Sequence, residues 1–139
     1  MDFEIKPAPI NRGSDWGNLE RLTPEKYSSL MKELEDFQGN AAKYSFQVET
    51  GDWDSATDTY IQMRDKWGNN PNFSGLLNTL RDPVNQINEE YDESRPDFIN
   101  NLRKLSSEVI AKKRTREALN GIARHRDTVA RMWDKAHTA

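Results

Sequence analysis

The apolar residues of this chain recur at helical spacing in five separate stripes, and that pattern restricts the fold to packed helices. Tyr27, Leu30, Met31, Leu34 and Phe37 fall three or four residues apart. So do Ala56, Tyr60, Met63 and Trp67, then Phe73, Leu76, Leu77, Leu80, Val84, Ile87 and Tyr91. Phe98, Leu102, Leu105 and Val109 form a fourth stripe, and Leu119, Ile122, Val129 and Trp133 a fifth. A side chain returns to the same helix face every 3.6 residues or so, whereas a half-buried strand alternates. The chain therefore reads as an all-α domain: a small bundle of four to six helices with an irregular N-terminal arm.

Punctuation sets the expected boundaries. Pro7, Pro9, Gly13 and Gly17 mark residues 1–22 as the arm, with a short strand at Phe3 and Ile5 allowed by their alternation. Trp16, Leu19 and Leu22 are expected to pin the arm to the body. The helical domain is 23–139. Thr23-Pro24 is an N-cap followed by a residue preorganised for the first helical turn. Gly39 is expected to end that helix. Residues 40–50 satisfy both periods: Tyr44, Phe46 and Val48 alternate, while Ala41, Tyr44 and Val48 share a helix face. Their surroundings tip them toward helix. Asp54 is expected to cap the next helix, and Gly68-Asn69-Asn70-Pro71 is a turn. Pro83 either kinks the third helix or, with Asp82 as cap, starts another.

The expected core is Tyr27, Leu30, Leu34, Tyr60, Trp67, Phe73, Leu77, Leu80, Val84, Ile87, Leu102, Leu105, Ile122, Val129 and Trp133. It is thin. Only 35% of the 139 residues are hydrophobic against 31% charged, with a mean hydropathy of −0.98. Aromatic side chains, at roughly 150–250 Å² each, supply much of the area available for burial. A thin core leaves room for a partner or a second copy to complete it.

Between Asp97 and His137 the periodicity changes phase. The face through Leu102, Leu105 and Val109 is rotated by more than a quarter turn from that through Leu119, Ile122, Val129 and Trp133. One straight helix does not present both to one core. The spacing predicts a break at Lys112-Lys113-Arg114-Thr115, with Thr115 capping a distal basic amphipathic helix over 115–137. The rival is an unbroken helix whose two stripes meet different surroundings.

Charge is segregated along the chain. Residues 101–139 hold ten Lys/Arg against four Asp/Glu, while 1–100 hold ten against nineteen. The basic end must cover an acidic patch of its own fold, meet an acidic partner or meet nucleic acid. The candidate partner-binding residues are Arg116, Arg124, Arg131 and Lys135 on the distal polar face, with the run Lys112, Lys113 and Arg114. That run also suits the acidic stretch Glu89-Glu90-x-Asp92-Glu93 within the chain.

Catalysis finds no support in the motifs. The chain has no cysteine and two histidines, His125 and His137, both read as solvated surface residues. Neither lies in a hydrolase or metalloprotease signature. Asp52, Asp54 and Asp58 miss the calcium-loop pattern, because the positions that need an oxygen donor, a glycine and a glutamate hold Ala56, Thr57 and Met63. No catalytic residue, metal or cofactor is expected. The reading is a non-catalytic protein–protein interaction module: an adaptor, inhibitor, chaperone or assembly subunit that binds another protein or itself. Nucleic-acid binding through the basic C-terminal helix ranks second, because such domains are usually basic overall. No apolar run approaches the ~20 residues that cross a bilayer, so no membrane partner is expected. The N-terminus lacks a secretory signal, which implies a soluble, cytoplasmic protein, with signal-less export left open.

Overall fold

Thr23 starts the first helix as its side chain suggests. Its backbone is extended, its Oγ1 accepts the N–H of Lys26 at 3.1 Å, and Pro24 takes the first helical position. The computed structural model, which describes residues 14–80 and 94–137, carries this helix, α1, over Pro24–Glu49. Gly39 does not end it. A Cβ placed there would meet nothing within 4 Å, and its φ is not positive, so it is an ordinary exposed helical position. Ala41, Tyr44 and Val48 are fully buried and continue the face of Leu30, Leu34 and Phe37 across it. Residues 40–49 are accordingly helix. The stop comes at Gly51, whose φ of 76° is a conformation that costs glycine no Cβ clash.

The second helix, α2 (Trp53–Trp67), is capped by Asp52, not by Asp54, which sits in the first turn. The Asp52 carboxylate accepts the N–H of Ser55 at 3.3 Å. α2 folds back antiparallel along α1. The Trp67 ring meets Phe37 edge-on at 5.0 Å, and its Nε1 donates to Glu33 at 3.0 Å. Thr59 donates to Gln47 at 2.6 Å near the hairpin end. A turn then leads into α3, described over 74–80, where Phe73, Leu76, Leu77 and Leu80 are buried. The buried Tyr44 hydroxyl donates to the Leu80 carbonyl at 2.9 Å. Burial, reinforced by Tyr60, pushes its pKa far up, so it stays a donor. Val84, Ile87, Tyr91, the Pro83 kink, the acidic stretch 89–93 and the Phe3–Ile5 strand lie outside the described residues.

The described part of the arm packs on the body. Asp15–Arg21 is a 3-10 helix, and Trp16, Leu19 and Leu22 are buried. Asn72 holds it: its carbonyl accepts from Trp16 Nε1 and its Oδ1 from the Asp15 N–H, each at 2.6 Å.

The last helix, α4 (Asp97–His137), is 41 residues long and unbroken. The expected break at Lys112–Thr115 is absent. Thr115 is no cap: it is buried, and its Oγ1 donates to the Ala111 carbonyl one turn back at 2.7 Å. α4 runs antiparallel to α1. Tyr27 stacks on Trp133 at 4.0 Å, Arg126 pairs with Glu35 at 3.2 Å, and Arg116 pairs with Glu49 at 2.9 Å. Because Glu49 is the last residue of α1, this register carries 97–112 past the end of α1.

A single buried cluster holds these elements together, and it is rich in rings: Trp16, Phe37, Tyr44, Trp67 and Phe73. Tyr27, Tyr60 and Trp133 lie half-buried at its edge. Leu102 and Leu105, expected in the core, are instead exposed. All the described residues are helix or connection, with no strand among them, so the fold is an all-α bundle.

Candidate interaction surface

The length of α4 reconciles its two stripes. At about 100° per residue, buried Asn100, Ala111, Thr115, Ile122, His125 and Val129 fall within roughly 80° of one another along the whole helix. One face therefore carries every buried residue of α4, although Lys104 on the same face is exposed. The distal half of that face is apolar. Its proximal half is made of small and polar residues, which an apolar count does not register.

The proximal stripe lies almost opposite. Phe98, Leu102, Leu105 and Val109 are 57–65% exposed. They span only about 60° of the helix circumference. Their spacing of four, three and four residues is that of a coiled-coil seam. Asn101, Ser106 and Glu108 line its edges. Lys112 and Lys113 straddle its C-terminal end, about 50° to either side of its centre line. An apolar patch of this kind on a small protein commonly marks an interaction site.

The cations predicted from sequence divide into two sets. Arg116 Nη1 reaches both carboxylate oxygens of Glu49, at 3.1 and 2.9 Å. Arg126, which the sequence reading left out, reaches Gln38 at 2.9 Å and Glu35 at 3.2 Å. The spacing of Glu35 and Glu49 on one edge of α1, facing a basic helix, was the available signal. Part of the basic segment thus covers an acidic edge of its own fold. By contrast Lys112, Lys113, Arg124 and Lys135 have no ion pair among the described residues. Arg131 donates only to Thr128, at 3.5 Å, one turn away. Arg114 is exposed on the side of α4 away from Lys112. The seven candidates therefore do not converge on one patch: Lys112 and Lys113 flank the end of the seam, Arg114 lies on the far side of α4, and Arg116, Arg124, Arg131 and Lys135 run along the distal half.

His125 departs from the solvated reading. It is buried, with its ring edge-on to Trp16 at 4.8 Å and its Nε2 without a hydrogen-bond partner. Desolvation holds its pKa below the ordinary histidine value. His137 is exposed and stacks on Trp133 at 3.6 Å. Near the end of α4, Trp16, Leu19, Glu20, Met132 and Lys135 line an open recess of about 310 Å³. No nucleophile and base are juxtaposed there. Among the described residues no group of three metal-ligating side chains gathers, and no helix is long and apolar enough to cross a membrane.

A comparison with protein-family models, curated proteins and solved structures finds no match to this chain.

Proposed function

We propose that this protein is a non-catalytic interaction module, working in the cytoplasm, which binds another protein along the proximal half of α4. The observation that carries the reading is the exposed seam Phe98, Leu102, Leu105 and Val109, set opposite the helix's buried face. Leaving four large apolar side chains in water forgoes on the order of 1.5–3 kcal/mol each, a cost that a partner removes. Lys112 and Lys113, without an ion pair among the described residues, give the patch a sign.

The test is site-specific photo-cross-linking in the native host. A photoreactive residue at Leu105 should give discrete protein adducts, and one at exposed Lys43 on α1 should not. Absence of adducts at position 105, with the protein folded and present, sinks the reading.

Nucleic-acid binding keeps one observation in its favour, the four cations of α4 that have no ion pair among the described residues. Four phosphate contacts imply a log–log salt slope of about −3.6 on duplex DNA. That slope with random-sequence duplex would replace the protein-partner reading.

A further inference from the structure

We infer that the occupant of this seam is an acidic amphipathic helix of another protein, laid along α4 as a two-stranded, coiled-coil-like pair. The inference rests on the interaction reading above and names the partner's chemistry. Three observations on the same surface carry it.

The first is the width of the seam. A helix that lies in a membrane interface presents a broad apolar face, commonly with tryptophan. Phe98, Leu102, Leu105 and Val109 instead form a strip about 60° wide, which Lys113 and Ser106 separate from the exposed Ile110 about 80° further round. A strip this narrow suits the knobs-into-holes packing of a second helix.

The second is the sign of the surroundings. Of the seven Lys/Arg between Ser94 and Arg116, Lys112 and Lys113 flank the seam, whereas Arg103, Lys104 and Arg114 lie more than about 120° round the helix from its centre line and Arg116 pairs with Glu49. Lys112 and Lys113 stand at the seam's end without an ion pair among the described residues. Carboxylates flanking a partner's apolar strip would sit beside them.

The third disfavours a parallel pair with a second copy of this chain. In a parallel pair Lys112 falls on a seam position and faces the Lys112 of the other copy. That arrangement sets cation against cation, which is the repulsion that decides partner choice in coiled coils.

The experiment uses the full chain and two synthetic helical peptides with the same leucine seam. One carries Glu at the flanking positions and the other Lys, and binding is read by fluorescence anisotropy at low and high salt. The Glu peptide should bind about tenfold more tightly, with the gap closing as salt rises. Leu105→Glu should abolish binding, and Val109→Glu should do the same. Both sites are solvent-exposed, so the far-UV spectrum and melting temperature should stay unchanged. Lys112→Glu with Lys113→Glu should bring the Glu peptide down to the level of the Lys peptide.

Equal affinity for the two peptides overturns the acidic partner while leaving the seam as a docking surface. Concentration-dependent dimerisation of the chain, abolished by Leu105→Glu, overturns it in favour of a second copy. Tighter binding to vesicles of anionic phospholipid than to the Glu peptide overturns it in favour of a membrane surface. Binding of the Glu peptide that Leu105→Glu and Val109→Glu leave untouched overturns the inference and removes the basis for the interaction reading with it.

Discussion

Gly39 and His125 show how one side chain's environment decides what it does. Gly39 is a helix-interior glycine with no left-handed φ and no neighbour to crowd a methyl group. Its only effect on folding is the backbone freedom it gives the unfolded chain. Gly39→Ala should therefore stabilise the protein by about 0.5–1 kcal/mol, read as a raised melting temperature at unchanged helix content. His125 carries a pH dependence. Burial lowers its pKa in the folded state, so the neutral ring is the form the fold accepts. Above the ordinary value near 6.5 both states are neutral and the residue contributes no slope. As pH falls below that value the unfolded chain takes up the proton first, so stability falls. The loss stops growing once the pH is below the folded-state pKa. Between pH 7 and pH 5 the melting temperature of the wild type should drop more steeply than that of His125→Phe, which keeps a ring against Trp16 and has nothing to titrate. Parallel curves would mean that the His125 pKa is the same in both states.

At the scale of elements, what was legible in the sequence was whatever local chemistry decides. The Thr23-Pro24 start and the inward faces of α2 and of Phe73–Leu80 follow from caps and period, and the structure has them. The end of α1 did not follow, because Gly39 only weakens a helix, while the burial of Ala41, Tyr44 and Val48 against distant residues carries it on. The reading of α4 went further astray. A stripe has the same period whether it faces a core or water, so Leu102 and Leu105 looked like core. A buried face built from Asn100, Ala111 and Thr115 left no apolar trace. The resulting phase change mimicked a hinge. The candidate surface was legible in part, through Lys112 and Lys113, but its apolar half was assigned to the interior. Arg116→Pro distinguishes one helix from two. After a cap at Thr115, proline would occupy a first-turn position and be tolerated. In the continuous helix it removes a hydrogen bond and clashes one turn back, which should cost about 3 kcal/mol or more in denaturant unfolding. The lost pair with Glu49 is exposed and adds about 1 kcal/mol at most.

Across the whole molecule the opposed charges of the two ends are partly spent inside the fold. Arg116 and Arg126 each meet a carboxylate at one edge of α1, with Glu49 and Glu35 about 14 residues apart, so the two pairs fix the antiparallel register of α1 and α4. Arg124 and Arg131 project from the same helix without such partners on α1. Equal changes of net charge should therefore have unequal effects. Reversing Arg116 and Arg126 to Glu places like charges against Glu49 and Glu35. Each site loses a weak attraction and gains a comparable repulsion, so the double variant should lose roughly 1–3 kcal/mol at low salt. Reversing Arg124 and Arg131 to Glu should stay within about 0.5 kcal/mol of the wild type, as surface changes away from a partner usually do. Added salt should close most of the gap between the two variants, because all four sites are open to water and exposed charges are screened beyond about 8–10 Å at physiological ionic strength. Equal losses for the two double variants would mean that the basic segment acts on the fold only through its net charge, and that the pairs with Glu35 and Glu49 do not set the register.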